Sequence, residues 1–125
     1  MNPTTREAIV SMVGHRLVEQ PRYGATECIL PDLTGGVALY VFEDDAATVR
    51  YVGSVSRPGQ RRGVAHRLNK HLRTPAKRAR WKYLTVFILS DATARSEVLA
   101  LEGETCIWLS PTDGLAWPRA RWFFS

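Results

Sequence analysis

Two short apolar runs separated by an acidic, polar loop are the clearest pattern in the chain. The runs cover residues 37–42 and 49–53, and the loop covers residues 43–47. Valine, tyrosine and phenylalanine suit a pleated, half-buried surface, and the loop is too short for a crossover connection. The pattern therefore predicts a β-hairpin with one tyrosine in each strand, Tyr40 and Tyr51.

Helical periodicity and one further apolar run predict the other elements. Apolar residues recur at helical spacing in residues 5–18, 64–72 and 93–109, and each stretch predicts a helix. The continuous apolar run of residues 83–89 predicts a central strand, and a short strand also fits residues 27–30. Together these elements predict an α+β fold. We expect a small, three-stranded, mostly antiparallel sheet flanked by helices, with an extra N-terminal helix.

Length and composition fit one globular domain with one modest core. The chain has 125 residues, of which 45% are hydrophobic and 23% are charged, and both fractions are ordinary. We expect residues 36–114 to form the core, with residues 1–35 as a helix and linker packed on it. Residues 115–125 form an aromatic tail whose rings need burial on this domain or on a partner, which makes the tail a candidate oligomer contact.

The apolar runs and the cysteines bear on the cellular compartment. No apolar run is long enough to cross a bilayer, and the N-terminus lacks the features of a secretory signal. Cys28 and Cys106 match no metal-ligand spacing, so reduced, buried thiols are the favoured interpretation. These features predict a cytoplasmic protein without a membrane partner.

The net charge of +5 is concentrated in one segment. Between Arg57 and Lys82 the chain carries ten lysines and arginines and no aspartate or glutamate. A segment of one sign inside a folded domain makes a positive surface, and its expected partner is a polyanion such as nucleic acid. The alternative is a solvated face with no partner.

Five side chains form a candidate set for cleaving a phosphodiester bond. They are Tyr40, Tyr51, Arg67, His71 and Glu102. Cleavage requires a positioned water, an offset for the charge on the phosphoryl oxygens, and stabilisation of the leaving oxygen. A magnesium ion can supply the last two, and it is often held by only one or two carboxylates.

Each candidate also has a structural interpretation. The two tyrosines suit core packing, Arg67 suits a surface cation, and His71 suits a helix end, where a cation is stabilised by the dipole. Glu102 suits an ion pair with a nearby cation. Sequence spacing alone does not show that these side chains meet.

Four segments resemble the signature elements of the GIY-YIG nuclease family. The gap between the two tyrosines equals that of the family's excision-repair members, and the resemblance covers about residues 36–114. Where the family often has an asparagine after a proline, this chain has Thr112 and Asp113 after Pro111. The four segments are Ala38-Leu39-Tyr40 with Gly36 slightly early, Tyr51-Val52-Gly53, Arg67-Leu68-Asn69-Lys70-His71, and Leu99-Ala100-Leu101-Glu102.

The resemblance implies metal-dependent hydrolysis of DNA by a compact α+β domain. It implies that Glu102 holds one Mg²⁺ or Mn²⁺ and that Arg67 stabilises charge on the scissile phosphate. It also implies that Tyr40 or Tyr51 positions or activates the water with help from His71.

The glycine of the second signature and seven basic residues are the expected nucleic-acid contacts. Arg62 and His66 have the same spacing as Arg67 and His71, so they remain an alternative register. A non-catalytic nucleic-acid-binding module is the alternative function. The expected contacts are Gly53, Arg57, Arg61, Arg62, Lys70, Arg73, Lys77 and Arg78.

Overall fold

A computed structural model describes residues 1–24 and 33–113. The strand expected within residues 27–30, Cys28 and the aromatic tail lie outside these residues. The described chain has an α+β fold with an antiparallel sheet flanked by helices. Its elements in order are α1 (Pro3–Val13), a 3₁₀ turn (Gly14–Arg16), β1 (Leu17–Glu19), β2 (Arg22–Gly24), β3 (Val37–Glu43), β4 (Val49–Ser56), α2 (Gly63–Leu72), α3 (Pro75–Arg80), β5 (Tyr83–Leu89) and α4 (Arg95–Leu109).

The predicted hairpin is present, and its first strand lies in the interior of the sheet. Strand β3 lies between β4 and β5, and every residue of β3 is buried. In the β3–β4 register, Tyr40 is opposite Gly53. The third predicted strand, β5, has the expected bounds and pairs with β3 on its other side.

The described sheet has five strands where the sequence predicted three. The predicted helix over residues 5–18 ends at Val13, because Gly14 adopts a positive φ of 54° and terminates it. The chain then forms β1 and β2, which both pair with β5. Each of these strands has three residues, which is too short for a periodic signal. The basic stretch between α2 and β5 contains the short helix α3.

The sheet separates two layers of helices. Side chains of a strand alternate between faces, and in β3 the residues Ala38, Tyr40 and Phe42 pack with α2. Leu39 and Val41 pack on the opposite face with α1 and α4. Functional residues on α2 and α4 therefore start from opposite sides of the sheet. Within the described residues, no helix combines the length and the apolarity needed to span a membrane.

A close backbone contact joins the start of β3 to the loop after β4. The Arg57 N–H donates to the carbonyl of Gly36 at 2.7 Å. A Cβ added at Gly36 would overlap the carbonyl oxygen of Arg57. The glycine is needed because the two main chains approach so closely, and this contact holds Arg57 where the chain leaves the sheet.

Replacing Gly36 with alanine is expected to lower the free energy of unfolding by more than about 2 kcal/mol, because the main chain of Arg57 must move. The control is Gly59→Ala, where an added Cβ meets nothing within 4 Å and the φ of +81° is the source of strain. That strain costs roughly 1–2 kcal/mol. Urea unfolding of both variants measures the difference, and a smaller loss at Gly36 than at Gly59 would contradict the steric explanation.

Candidate active site

A cleft of about 470 Å³ opens at the edge of β4. Strand β4 ends the described strand order, and α2 and α4 both contribute to the walls of the cleft from opposite faces of the sheet. The ionisable side chains that line it come from four elements and the loop after β4. They are Tyr40, Tyr51, Arg57, Arg67, Arg95 and Glu102.

The structure brings together the five residues that the sequence nominated. Tyr40, Tyr51, Arg67 and Glu102 line the cleft directly. His71 lies behind Tyr40, and its Nε2 is 2.9 Å from the Tyr40 hydroxyl oxygen. The four cleft residues come from two strands, β3 and β4, and from helices on both faces of the sheet, and they share one concave surface.

The two tyrosines form a stacked pair over the hairpin. Their ring centroids are 6.3 Å apart, and the ring planes differ by 22°. The Tyr40 ring crosses Gly53, since a Cβ at Gly53 would lie 2.6 Å from the Tyr40 hydroxyl oxygen. Gly53 therefore makes room for the phenol of its cross-strand neighbour. This packing role is distinct from the nucleic-acid contact that the sequence predicts for Gly53, which stays a prediction.

Burial keeps both phenols protonated. It raises the pKa of Tyr40, and the neighbouring Tyr51 and Glu102 act in the same direction while Arg67 opposes them. Burial, followed by the charge of Glu102, also raises the pKa of Tyr51. The pKa of both groups is therefore above the ordinary value of about 10. At neutral pH the resting tyrosines offer hydroxyl groups and not phenolate bases.

His71 is enclosed by aromatic rings and is neutral. Its ring centroid lies 5.3–6.0 Å from those of Tyr40, Phe42, Tyr51 and Trp81. Burial, followed by the charges of Lys77, Arg67 and Lys70, lowers the pKa of His71 to about 4.

Arg67 has a hydrogen-bond donor that no described residue satisfies. Its Nε is buried and has no hydrogen-bond partner among the described residues. A buried donor without an acceptor costs about 1–3 kcal/mol, and more when the group is charged. An anionic oxygen bound in the cleft would remove this cost. Arg57 and Arg95 add two further positive charges to the same lining.

Glu102 is the only carboxylate among the described residues that line the cleft, and the residue is 5% exposed. Within the described chain, no cluster of three or more histidine, cysteine, aspartate or glutamate side chains could hold a metal ion. The donor set therefore does not fit an all-protein cage such as a structural zinc site. It fits a Mg²⁺ or Mn²⁺ ion held by one carboxylate, with phosphate and water as the other ligands.

The cysteine within the described residues, Cys106, is unreactive. Cys106 lies one helical turn after Glu102 and is buried. Burial and the charge of Glu102 raise the pKa of the Cys106 thiol to about 12. It therefore lacks the thiolate character of a metal ligand or a nucleophile.

Four of the predicted nucleic-acid contacts are available to a ligand. Arg57 lines the cleft, and Arg61, Lys70 and Arg73 are exposed. Arg61 precedes α2, Lys70 lies in its last turn, and Arg73 is its C-terminal cap.

Three other predicted contacts have partners within the chain. Arg62 donates to the Leu33 carbonyl at 2.6 Å, and Arg78 donates two hydrogen bonds to the Leu72 carbonyl. The Lys77 ammonium lies 3.2 Å from Nδ1 of His71.

The alternative register places its pair away from the phenols. Arg62 is directed to a main-chain carbonyl and His66 is exposed. The cleft contains Arg67 instead, with His71 behind it.

Sequence reasoning missed Arg95 as a cleft residue. Arg95 precedes Glu102 by seven positions, a spacing that puts both on one side of α4. This seven-residue spacing from Glu102 is the sequence feature that could have identified Arg95 as a cleft residue. Asp113, which stands where the family often has an asparagine, accepts a hydrogen bond from Nε1 of Trp81 at 2.8 Å and is close to Arg50 and Arg80.

The buried His71 makes stability depend on pH. The unfolded chain protonates this histidine near pH 6.5 and the folded chain near pH 4. Between these values the unfolded state binds more protons, so the free energy of unfolding is expected to fall as pH drops from about 6.5 towards 4.

The matched control for this prediction is His71→Gln, which stays uncharged and keeps a donor near the position of Nε2. Urea unfolding at pH 7.5, 6.5, 5.5 and 4.5 compares the two proteins. The variant is expected to lose less stability across this range, and an equal loss in both would contradict the assignment.

Comparison of the chain with protein-family models, with curated proteins and with solved structures found no match. The functional interpretation therefore rests on the cleft and on the residue pattern that led to it.

Proposed function

We propose that this protein is a metal-dependent endonuclease of the GIY-YIG type that hydrolyses phosphodiester bonds in DNA. One observation carries the proposal: two stacked phenols, an arginine with a buried Nε and a buried carboxylate line the same cleft. These groups belong to β3, β4, α2 and α4, and their convergence suits the chemistry that the sequence motifs predict.

Arg67 has the role of offsetting charge on the scissile phosphate. Arg67 is partly exposed and lines the cleft, and its buried Nε lacks an acceptor among the described residues. A preorganised cation beside the reacting group stabilises developing charge strongly, because little reorganisation is needed during the reaction.

Glu102 has the role of holding Mg²⁺ or Mn²⁺, which when bound supplies Lewis-acid stabilisation of the phosphate and leaving oxygens. The two phenols, protonated at rest, position water and phosphate oxygens by hydrogen bonding. His71 holds the Tyr40 hydroxyl in place at 2.9 Å.

The basic surface has the role of binding the DNA backbone. In this proposal, Arg57 in the cleft and the exposed Arg61, Lys70 and Arg73 contact phosphates of the backbone. Such contacts position the duplex without reading its bases.

A non-catalytic nucleic-acid-binding module on the same scaffold is the second candidate. The observation that favours it is the single carboxylate in the described lining, together with the engagement of Asp113 by Trp81. This candidate retains the basic surface and lacks hydrolysis.

A plasmid-nicking assay tests the roles proposed for Glu102 and Arg67. Glu102→Gln is expected to abolish Mg²⁺-dependent nicking while leaving DNA binding largely intact. Arg67→Ala is expected to slow nicking by roughly a hundredfold or more, as for loss of one transition-state charge stabiliser. The controls are Glu104→Gln and His66→Ala, which change exposed residues on α4 and α2 that have no role in the proposed site. Normal nicking by the Glu102 variant would overturn the assignment.

The same assay separates the two candidate functions. The wild-type protein is expected to nick plasmid with Mg²⁺ and not with a chelator. DNA binding that falls steeply with salt, without nicking under any divalent ion, would select the binding module, because phosphate contacts release counterions.

A further inference from the structure

A chain of three hydrogen-bonding side chains runs from α3 to the cleft. The Lys77 ammonium is 3.2 Å from Nδ1 of His71, and Nε2 of His71 is 2.9 Å from the hydroxyl oxygen of Tyr40. Lys77 is partly buried and also lies over the Trp81 ring, 5.4 Å from its centroid. Contacts with both His71 and Trp81 therefore fix the position of the lysine ammonium.

The chemistry of these groups sets the direction of the chain. A lysine ammonium has three donors and no acceptor, and a neutral imidazole has one N–H and one acceptor nitrogen. Nδ1 of His71 must therefore accept from Lys77, because the other tautomer would place two donors against each other. The single imidazole proton is then on Nε2, and it is donated to the Tyr40 hydroxyl oxygen.

The surroundings of His71 keep the ring in its neutral form. The charged groups that act on it are Lys77 from α3 and Arg67 and Lys70 from α2, and all three are cations. The phenols of Tyr40 and Tyr51 face it from β3 and β4. Burial and these cations lower the pKa of His71 to about 4, so the ring carries one proton at neutral pH.

We propose that Lys77 is a positioning residue that fixes the tautomer of His71, so that Tyr40 accepts from His71 and directs its own hydroxyl proton to the cleft. This inference rests on the proposed function, in which the acceptor would be an oxygen of the bound phosphate. Tyr40 is then a donor to the phosphate, and Tyr51 is left to position the water. Lys77 acts through His71 and not as a contact to DNA.

The tautomer can be measured without any nuclease activity. Long-range ¹H–¹⁵N correlation spectra of the full chain with ¹⁵N-labelled histidine, recorded at pH 7, distinguish the two forms, and His71→Gln assigns the signal. The Nε2–H form is expected in the wild-type protein. An Nδ1–H form would overturn the proposal, and this result needs no variant at position 77.

Two variants test the role of the lysine in the same spectra. Lys77→Met is expected to shift the tautomer ratio by about tenfold or more, as for loss of a hydrogen bond from a charged group. Lys77→Arg is expected to retain the Nε2–H form. Lys70→Met is the control, since it removes the same charge from an exposed site on α2. An unchanged ratio in Lys77→Met would overturn the proposal.

Nicking kinetics separate this role from a direct DNA contact. In an active protein, Lys77→Met is expected to lower kcat about tenfold with an unchanged KM for DNA, and Lys77→Arg is expected to restore kcat. A change confined to KM would assign Lys77 to DNA binding and overturn the positioning role. If the wild-type protein does not cut DNA, the proposed function fails while the tautomer measurement still decides the arrangement of Lys77, His71 and Tyr40.

Discussion

The contact of the Tyr40 ring with Gly53 is the constraint on which the rest of the site depends. The β3–β4 register places these residues opposite each other, and only a residue without a side chain leaves space for the phenol. With the Tyr40 ring packed against Gly53, Tyr51 stacks beside it and His71 reaches its hydroxyl. A register slip of one residue would send Tyr40 to the face of α1 and α4, because successive side chains alternate between faces.

The aromatic cluster built on this contact keeps the two phenols and the His71 imidazole uncharged. Tyr40, Phe42, Tyr51 and Trp81 surround His71 and exclude water from it. The exclusion of water disfavours charge, so the phenols and the imidazole are all neutral at pH 7. A neutral hydrogen-bonded cluster of this kind can orient donors toward a ligand with little reorganisation when the ligand binds.

The charges around this neutral cluster are arranged unevenly. Arg57, Arg67 and Arg95 line the cleft with a single described carboxylate, Glu102. Two arginines of the basic segment stabilise the fold instead, since Arg62 and Arg78 donate hydrogen bonds to main-chain carbonyls. A count of basic residues in the sequence therefore overstates the surface that is available to a polyanion.

The sequence by itself determined the hairpin, β5, α2 and α4, because apolar periodicity follows directly from which face of each element is buried. The short strands β1 and β2 carry no such periodicity, and pairing with β5 decided them. Tertiary structure alone brought Glu102 of α4 to the phenols on the other face of the sheet and Lys77 to His71. These contacts depend on how separate helices pack at the edge of the sheet. Residue spacing within one element contains no information about that packing.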